Sequence, residues 1–298
     1  MSEPTPGGGQ GFSWPEGTRA AAAFTFDVDA ESAILASDPA AAGWLDVMSH
    51  QAYGPRTGVP RILRMLDRRS IRATFFVPGY TAERWPDVVR AIRDADHEIG
   101  HHGYLHESSR EADAQTEETR LLRGLDALEK IAGVRPTGYR APMWEVSYAL
   151  PGVLARHGFR YDSSLMDADV PYRLATSDAP DASSIIELPV HWSMDDWEPY
   201  AYLPGITGSG VISHPEEVTS RWRAELQAMA TDGGMFMLTS HPFLTGRPSR
   251  TAALERLIER AQDLDGFWIA TCDEIARHAE TQRLAAFVHV PHAPLRMD

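Results

Sequence analysis

The sequence predicts an α/β fold, a distorted (β/α) barrel with about seven parallel strands. Short apolar segments of strand length alternate along the chain with longer segments whose apolar residues recur at helical spacing. Most of the short segments are apolar runs rather than strictly alternating, as expected for parallel strands covered on both faces. With 298 residues, 43% of them hydrophobic, the chain is long enough for one large core. A doubly wound open sheet is the structural alternative.

Eight segments are predicted as strands. The first, residues 21–26, ends at Asp27, and the second, residues 71–77, is stopped by Pro78 and Gly79. The remaining strands are expected at residues 97–101, 137–140, 159–162, 185–190, 235–240 and 267–271. Helices are predicted between them at residues 59–69, 82–95, 109–131, 215–230, 254–264 and from 275 onwards.

Two segments, residues 31–58 and 191–215, break this alternation and are expected to be loop-like lids or interface elements. They are rich in aromatic residues. A pocket closed by aromatic side chains would suit a small ring, whereas an open groove would suit a glycan. The candidates for closing it are Trp44, Tyr53, Trp144, Trp192 and Trp197. The sequence assigns no role to Glu31.

Bulk composition sets limits on location and partners. Residues 1–15 are rich in Gly and Pro and are expected to be a flexible tail, with residues 16–298 forming a single domain. The single cysteine, Cys272, excludes an internal disulfide, and with no secretory signal a cytoplasmic location is expected. No membrane-spanning segment is expected. The net charge of −14 argues against nucleic acid as a partner.

Titratable or cationic side chains stand at the carboxyl ends of five predicted strands. In a parallel β/α fold these ends meet on one face, where active sites form. Taken singly each residue has an ordinary explanation, since a strand-end Asp most often caps a helix. Their joint placement predicts metal-assisted hydrolysis. The residues are Asp27, Asp29, His102, His106, Arg140, Asp162 and His241.

The motifs, in order from about residue 21 to residue 272, resemble those of the NodB-type polysaccharide deacetylases, carbohydrate esterase family 4. Thr25-Phe26-Asp27-Val28-Asp29 resembles the first motif, T-F-D-D-G, with one residue inserted between the acids. The second motif, H-[ST]-x-x-H, corresponds to His102 and His106, and the third, R-x-P, to Arg140-Ala141-Pro142. The fourth motif's Asp corresponds to Asp162 and the fifth motif's His to His241. The resemblance implies a NodB-like barrel.

The resemblance implies that Asp29, His102 and His106 hold one divalent metal ion. Two imidazoles and one carboxylate suit zinc, and cobalt, nickel and iron fit the same ligands. The ligand set leaves a position for a water molecule, whose pKa a bound metal lowers.

By the same resemblance Asp27 is the general base, Arg140 orients it, and His241 is the catalytic acid. We expect Asp162 to take part in catalysis, by fixing the tautomer of His241. These roles are those of a hydrolase acting on a non-peptide carbon–nitrogen bond.

Two departures from the family pattern bear on the substrate. The sequence D-V-D-A-E replaces D-D-G, and Pro242 follows His241. Both resemble a branch of cytoplasmic peptidoglycan-deacetylase-like proteins and cyclic imide hydrolases that form homotetramers. The related allantoinase-like branch lacks the metal ligands, which this chain keeps.

The resulting prediction is a metal-dependent hydrolase of the polysaccharide deacetylase type, which removes the acetyl group from an amino sugar or a related amide. A cyclic imide hydrolase is the first alternative, and a non-catalytic sugar- or metal-binding protein is the second. The expected partners are a small-molecule or amino-sugar substrate and further copies of the chain, with no membrane partner.

Overall fold

The computed structural model describes residues 11–110, 112–175, 184–202 and 211–291. These residues form a ten-stranded sheet and eleven α-helices. The strands are β1 Ala20–Asp27, β2 Thr74–Val77, β3 Glu98–His101, β4 Gly138–Tyr139, β5 Tyr161–Asp162, β6 Tyr172–Ala175, β7 Ser184–Glu187, β8 Met235–Ser240, β9 Phe267–Ile269 and β10 Ala286–Val288. The helices are α1 Ser32–Ser37, α2 Leu45–Tyr53, α3 Val59–Arg69, α4 Gly79–Arg84, α5 Pro86–Asp94, α6 Ala114–Ala132, α7 Leu150–Arg156, α8 Trp197–Tyr200, α9 Pro215–Asp232, α10 Pro248–Gln262 and α11 Cys272–Glu280.

The strands follow the order β10-β6-β7-β5-β4-β3-β2-β1-β8, and β9 pairs with the first residues of β1. All pairs are parallel except β6 with β7. The predicted α/β class is confirmed, and the barrel is open rather than closed. Irregular chain, not a further strand, lies against β8: Asp195 bridges Thr239, and the Met235 N–H donates to the Asp169 carbonyl.

Strand β1 is buried along its whole length, which explains why its residues are apolar except for Thr25 and Asp27. Phe24 and Phe26 pack in the core beneath the helices. Ala21 and Ala23 pack on the other face, in a cluster with Tyr161 of β5. Strand β5 lies four positions away from β1 in the sheet, so one apolar cluster joins strands that are not neighbours.

Helix ends follow the local sequence signals. The Asp113 side chain caps α6 by accepting a hydrogen bond from the Thr116 N–H at 2.8 Å, and the helix ends at Gly133 with a φ of 64°. At α11, Thr271 and Glu274 form a capping box, in which each side chain bonds the other residue's backbone N–H. None of the described helices has the length and apolar character needed to cross a bilayer.

Residues 31–58 are helical, so the prediction of a loop-like segment there was wrong. Helices α1 and α2, a short 3₁₀-helix and a π-helical turn lead directly into α3, around a small core of Ile34, Ala41 and Val47. The Gly and Pro residues that indicated a loop fall at the junctions between these short helices. In the second predicted lid, residues 191–215, the structure shows a 3₁₀-helix and α8, and residues 203–210 lie outside the described part.

The predicted tail, residues 1–15, falls mostly outside the described residues. Of its last residues, Phe12 and Trp14 pack against the domain, and Trp14 Nε1 donates to the Gly233 carbonyl at 2.7 Å. This packing places the end of the predicted tail on the surface of the domain. The single-domain organisation of residues 16–298 stays a prediction.

Gly58, in the π-helical turn, packs beneath Pro242, the residue that follows His241. A Cβ at Gly58 would lie 2.1 Å from the Pro242 carbonyl oxygen, and backbone moves only at a cost. We expect Gly58→Ala to lower the free energy of unfolding by about 1–3 kcal/mol, measured by urea denaturation. Gly43→Ala is the matched control, because no described atom lies within 4 Å of its added Cβ. Equal losses in the two variants would contradict this reading.

Candidate active site

Side chains from several strand ends meet in one cavity of about 230 Å³. Five of the seven predicted site residues line this cavity. Arg140 does not line it but contacts Asp27, which does, and Asp162 is not among the lining residues. The lining residues are Asp27, Asp29, His102, His106, Met143, Trp144, Trp192, Asp195, Trp197, Glu198 and His241.

Asp27 and Asp29 both reach the cavity because one residue separates them. In extended chain alternate side chains share a face. Val28, between the two acids, is buried in the core beneath the helices, and its N–H donates to the Phe76 carbonyl at 2.8 Å. The residue inserted relative to the family motif therefore anchors the strand end and leaves both carboxylates on the cavity side.

Asp29, His102 and His106 form a cluster in which one ligand atom of each lies within 4.8 Å of the others. The Nε2 atom of His102 is 3.5 Å from Asp29 Oδ1, and that of His106 is 3.6 Å from Asp29 Oδ2. Both Asp29 oxygens are buried without a hydrogen-bond partner among the described residues. A buried bare carboxylate is costly unless a cation compensates it. The cluster thus fits a divalent metal ion.

A hydrogen bond to the backbone of Arg140 fixes the tautomer of His102 that can bind a metal ion. His102 Nδ1 lies 2.7 Å from the Arg140 carbonyl oxygen, which can only accept, so Nδ1 carries the proton and the lone pair of Nε2 faces Asp29. Burial, the largest cause, lowers the pKa of His102 to about 3. The ring therefore stays neutral, which is the form that binds metals.

A second group with metal-ligand geometry, Asp195, Asp196 and His241, lies at the same cavity. The oxygens of Asp196 are already engaged. They accept the His241 N–H at 2.9 and 3.0 Å, His241 Nδ1 at 2.7 Å and the Thr245 hydroxyl. This group fits the anchoring of an imidazole, whereas the Asp29 oxygens, which have no hydrogen-bond partner among the described residues, fit a metal ion.

Arg140 is fully buried and contacts the proposed base. Its Nη1 donates to Asp27 Oδ1 at 2.9 Å and to the Thr25 hydroxyl at 2.7 Å. The guanidinium carbon lies 4.2 Å from the centre of the Phe76 ring. Its Nε and Nη2 donate to the carbonyl and hydroxyl oxygens of Ser163. With Oδ1 of Asp27 held in this way, Oδ2 is left to face the cavity, 3.7 Å from His102 Nε2.

His241 is anchored by Asp196 and not by Asp162, so the predicted pairing with Asp162 was wrong. Asp162 instead accepts hydrogen bonds from the Ser163 N–H at 2.9 Å and the Ser164 hydroxyl at 2.6 Å. Asp196 was missed because it lies in a segment that we expected to be a lid. The available signal was the pair of adjacent acids, Asp195 and Asp196, followed by a tryptophan.

The environment of His241 favours its charged form. Burial alone would lower its pKa, but the charge of Asp195, the hydrogen bond and charge of Asp196 and the charge of Asp29 raise the pKa well above the usual value. Nε2 lies 3.6 Å from Asp29 Oδ2, so the proton on that nitrogen faces the cavity. His241 is thereby placed as a proton donor.

The cavity wall is aromatic. Trp144, Trp192 and Trp197 line it as predicted, whereas Trp44 and Tyr53 do not. The Trp197 ring meets the His241 ring edge-to-face, with the two ring centres 5.3 Å apart. Glu31, for which the sequence assigned no role, is buried and accepts a hydrogen bond from Trp85 Nε1 at 2.8 Å; it does not line the cavity.

Comparison with known proteins agrees with this site. The family profile described as polysaccharide deacetylase matches residues 52–161. The peptidoglycan deacetylase of Helicobacter pylori is 31% identical over 268 residues, covering 80% of this chain and 92% of that protein. A peptidoglycan deacetylase-like protein of Gibberella zeae is 29% identical, covering 78% of each chain.

Solved structures give the same result. A polysaccharide deacetylase homologue from Mycobacterium smegmatis is 51% identical with a TM-score of 0.92, covering 96% of this chain and 98% of that one. The Puue allantoinase is 26% identical with a TM-score of 0.76, covering 90% of this chain and 92% of that one. The chain therefore belongs to the polysaccharide deacetylase family, and it is an enzyme, a hydrolase acting on carbon–nitrogen amide bonds.

Loss of the Asp29 carboxylate tests the metal cluster directly. We expect Asp29→Asn to weaken binding of Co²⁺ or Zn²⁺ by about 100-fold or more, because it removes a charged ligand and not merely a supporting contact. Isothermal titration of the metal-stripped protein measures this affinity. Asp126→Asn, at an exposed position on α6, is the control and should bind as the parent does. Unchanged affinity in Asp29→Asn would rule this cluster out.

Proposed function

We propose that this protein is a metal-dependent hydrolase that removes the acetyl group from the nitrogen of an acetylated amino sugar. The observation that carries the proposal is the buried Asp29-His102-His106 cluster, flanked by Asp27 and by His241. Such a site offers three ligands that would hold a metal ion, together with a proton acceptor and a proton donor, around one cavity. A protein that only bound a sugar or a metal ion would need neither the proton acceptor nor the proton donor.

Asp29, His102 and His106 would hold the metal ion, and zinc is the ion that this ligand set suits best. When bound, the metal polarises the acyl oxygen and lowers the pKa of a coordinated water. The neutral state of His102 and the unpaired oxygens of Asp29 support this assignment.

Asp27 would act as the general base. Its Oδ1 is held by Arg140 at 2.9 Å, which leaves Oδ2 to take a proton from water as that water attacks the acyl carbon. The hydrogen bonds of Arg140 to Thr25 and Ser163 keep the guanidinium in place during this step.

His241 would act as the general acid. As the carbon–nitrogen bond breaks, its Nε2 proton passes to the leaving nitrogen, which departs as a neutral amine. Asp196 holds Nδ1 at 2.7 Å, so that Nε2 points at the cavity, and it stabilises the charged ring beforehand.

An amino-sugar substrate is supported by the peptidoglycan deacetylase of Helicobacter pylori, which shares most of its length with this chain. The size of the cavity, about 230 Å³, favours a substrate whose acylated ring alone is enclosed. The same size and the three tryptophans support a second candidate, the opening of a cyclic imide. The similarity to the Puue allantoinase also favours this candidate. The predicted cytoplasmic location and homotetramer stay predictions.

A substrate panel separates the two candidates. With the zinc-loaded enzyme we expect acetate to be released from N-acetylglucosamine oligomers, and a colorimetric assay of the free amine measures this reaction. We expect the same enzyme to open succinimide more slowly. Chelation should abolish turnover and added Zn²⁺ should restore it, because a water molecule without a metal stays a weak nucleophile. Faster opening of succinimide would favour the second candidate. Full activity after complete metal removal would overturn both.

The anchoring of His241 is tested by a pair of neighbouring substitutions. Asp196→Asn should lower kcat by about 100-fold or more, because the neutral amide does not stabilise the positive charge of the His241 ring. Asp195 lies 3.5 Å from His241 Nδ1 against 2.7 Å for Asp196, so Asp195→Asn should cause a clearly smaller loss. Steady-state kinetics measures both variants. A larger loss in Asp195→Asn would contradict the assignment.

A further inference from the structure

Two buried acids, Asp162 and Glu187, lie side by side on the parallel strands β5 and β7. They are register partners, and both are 0% exposed. One oxygen of each, Asp162 Oδ2 and Glu187 Oε2, has no hydrogen-bond partner among the described residues. Two adjacent bare carboxylates would repel each other strongly, whereas one proton between them would give both oxygens a partner.

The other oxygen of each acid holds a single turn, formed by Ser163, Ser164 and Leu165, which we call the serine turn. Asp162 Oδ1 accepts the Ser163 N–H at 2.9 Å and the Ser164 hydroxyl at 2.6 Å. Glu187 Oε1 accepts the N–H groups of Ser164 at 2.9 Å and of Leu165 at 2.8 Å. The two acids thus fix the turn from both sides.

The serine turn accepts hydrogen bonds from the side chain of Arg140. The carbonyl and hydroxyl oxygens of Ser163 accept Arg140 Nε at 3.2 Å and Nη2 at 3.0 Å. The hydroxyl of Ser164 accepts the N–H of Ala141 at 2.8 Å. Both the guanidinium and the peptide that follows it are fixed in this way. Through these two groups Arg140 contacts the proposed base and one proposed metal ligand.

We propose that Asp162 and Glu187 share one proton and act together as positioning residues, fixing Arg140 through the serine turn. Glu187 was not among the residues that the sequence indicated. Asp162 has this role in place of the predicted pairing with His241. The positioning role rests on the proposed function, because it acts through Arg140, but the shared proton does not depend on any activity.

The surroundings of the pair support a retained proton. Burial is the largest cause that raises the pKa of both carboxyls, and the charge of Asp162 raises that of Glu187 further. Arg140 is the one cation among the described groups that face the pair, and it is already paired with Asp27. The groups that face the pair are Arg140, Tyr139, Tyr172 and Asp167.

The pH dependence of stability tests the shared proton. The unfolded chain has both carboxyls ionised at neutral pH, so a protonated pair makes the folded state lose stability as pH rises. In Glu187→Gln the amide group can donate to Asp162 without a proton from solvent. We expect the folding equilibrium constant of the parent to fall, relative to that of Glu187→Gln, by about tenfold per pH unit between pH 6 and 8.

The matched control is Glu16→Gln, at an exposed position, whose pH profile should run parallel to that of the parent. Urea denaturation at each pH gives the equilibrium constants. Parallel profiles for the parent and Glu187→Gln would show that the pair holds no proton and would overturn the proposal. This measurement needs no substrate, so its failure is separate from a failure of the proposed function.

The positioning role is tested by metal affinity. Glu187→Ala removes the oxygen that accepts two N–H groups of the serine turn, and it should weaken Co²⁺ binding by roughly 10- to 100-fold, as loss of a supporting contact to a metal ligand does. Glu187→Gln should restore the parent affinity. A loss in both variants, or in neither, would contradict positioning through the turn. If Glu187→Ala does not fold, the pH comparison with Glu187→Gln decides the proposal.

Discussion

The site depends on a fully buried arginine at the end of β4. A guanidinium away from water needs acceptors for its five donors, because an unpaired buried charge is strongly destabilising. Arg140 makes four such hydrogen bonds, to Asp27, Thr25 and Ser163. Its own carbonyl oxygen then orients His102. One residue therefore couples the proposed base to a proposed metal ligand, so that both are set by the same local structure.

The distribution of hydrogen bonds separates the roles of similar side chains. Asp29 and Asp196 are both buried carboxylates close to His241. The described residues give the Asp29 carboxylate no hydrogen-bond donor, whereas the Asp196 carboxylate accepts hydrogen bonds from His241 and Thr245. A metal ion would compensate the carboxylate of Asp29, whereas the imidazolium of His241 compensates that of Asp196. Residue type alone does not make this distinction, because it depends on which donors the fold brings near.

Much of the site could be predicted because parallel strands bring their carboxyl ends together. An apolar run followed by Asp27 or His102 was enough to place these residues at one face. Strands β6 and β10 were missed because neither is a buried apolar run: Arg173 interrupts β6, and all residues of β10 are exposed. Asp196 and Glu187 were missed because their partners come from distant segments. Their roles follow from how irregular chain folds back onto β8 and from the register of β5 with β7.

The most direct measurement is anomalous X-ray diffraction from crystals of the zinc-loaded protein, collected on both sides of the zinc absorption edge. We predict one anomalous peak, coordinated by Asp29, His102 Nε2 and His106 Nε2, with Asp27 and His241 outside the coordination sphere. A peak between Asp195, Asp196 and His241, or no bound zinc at the cavity, would contradict it.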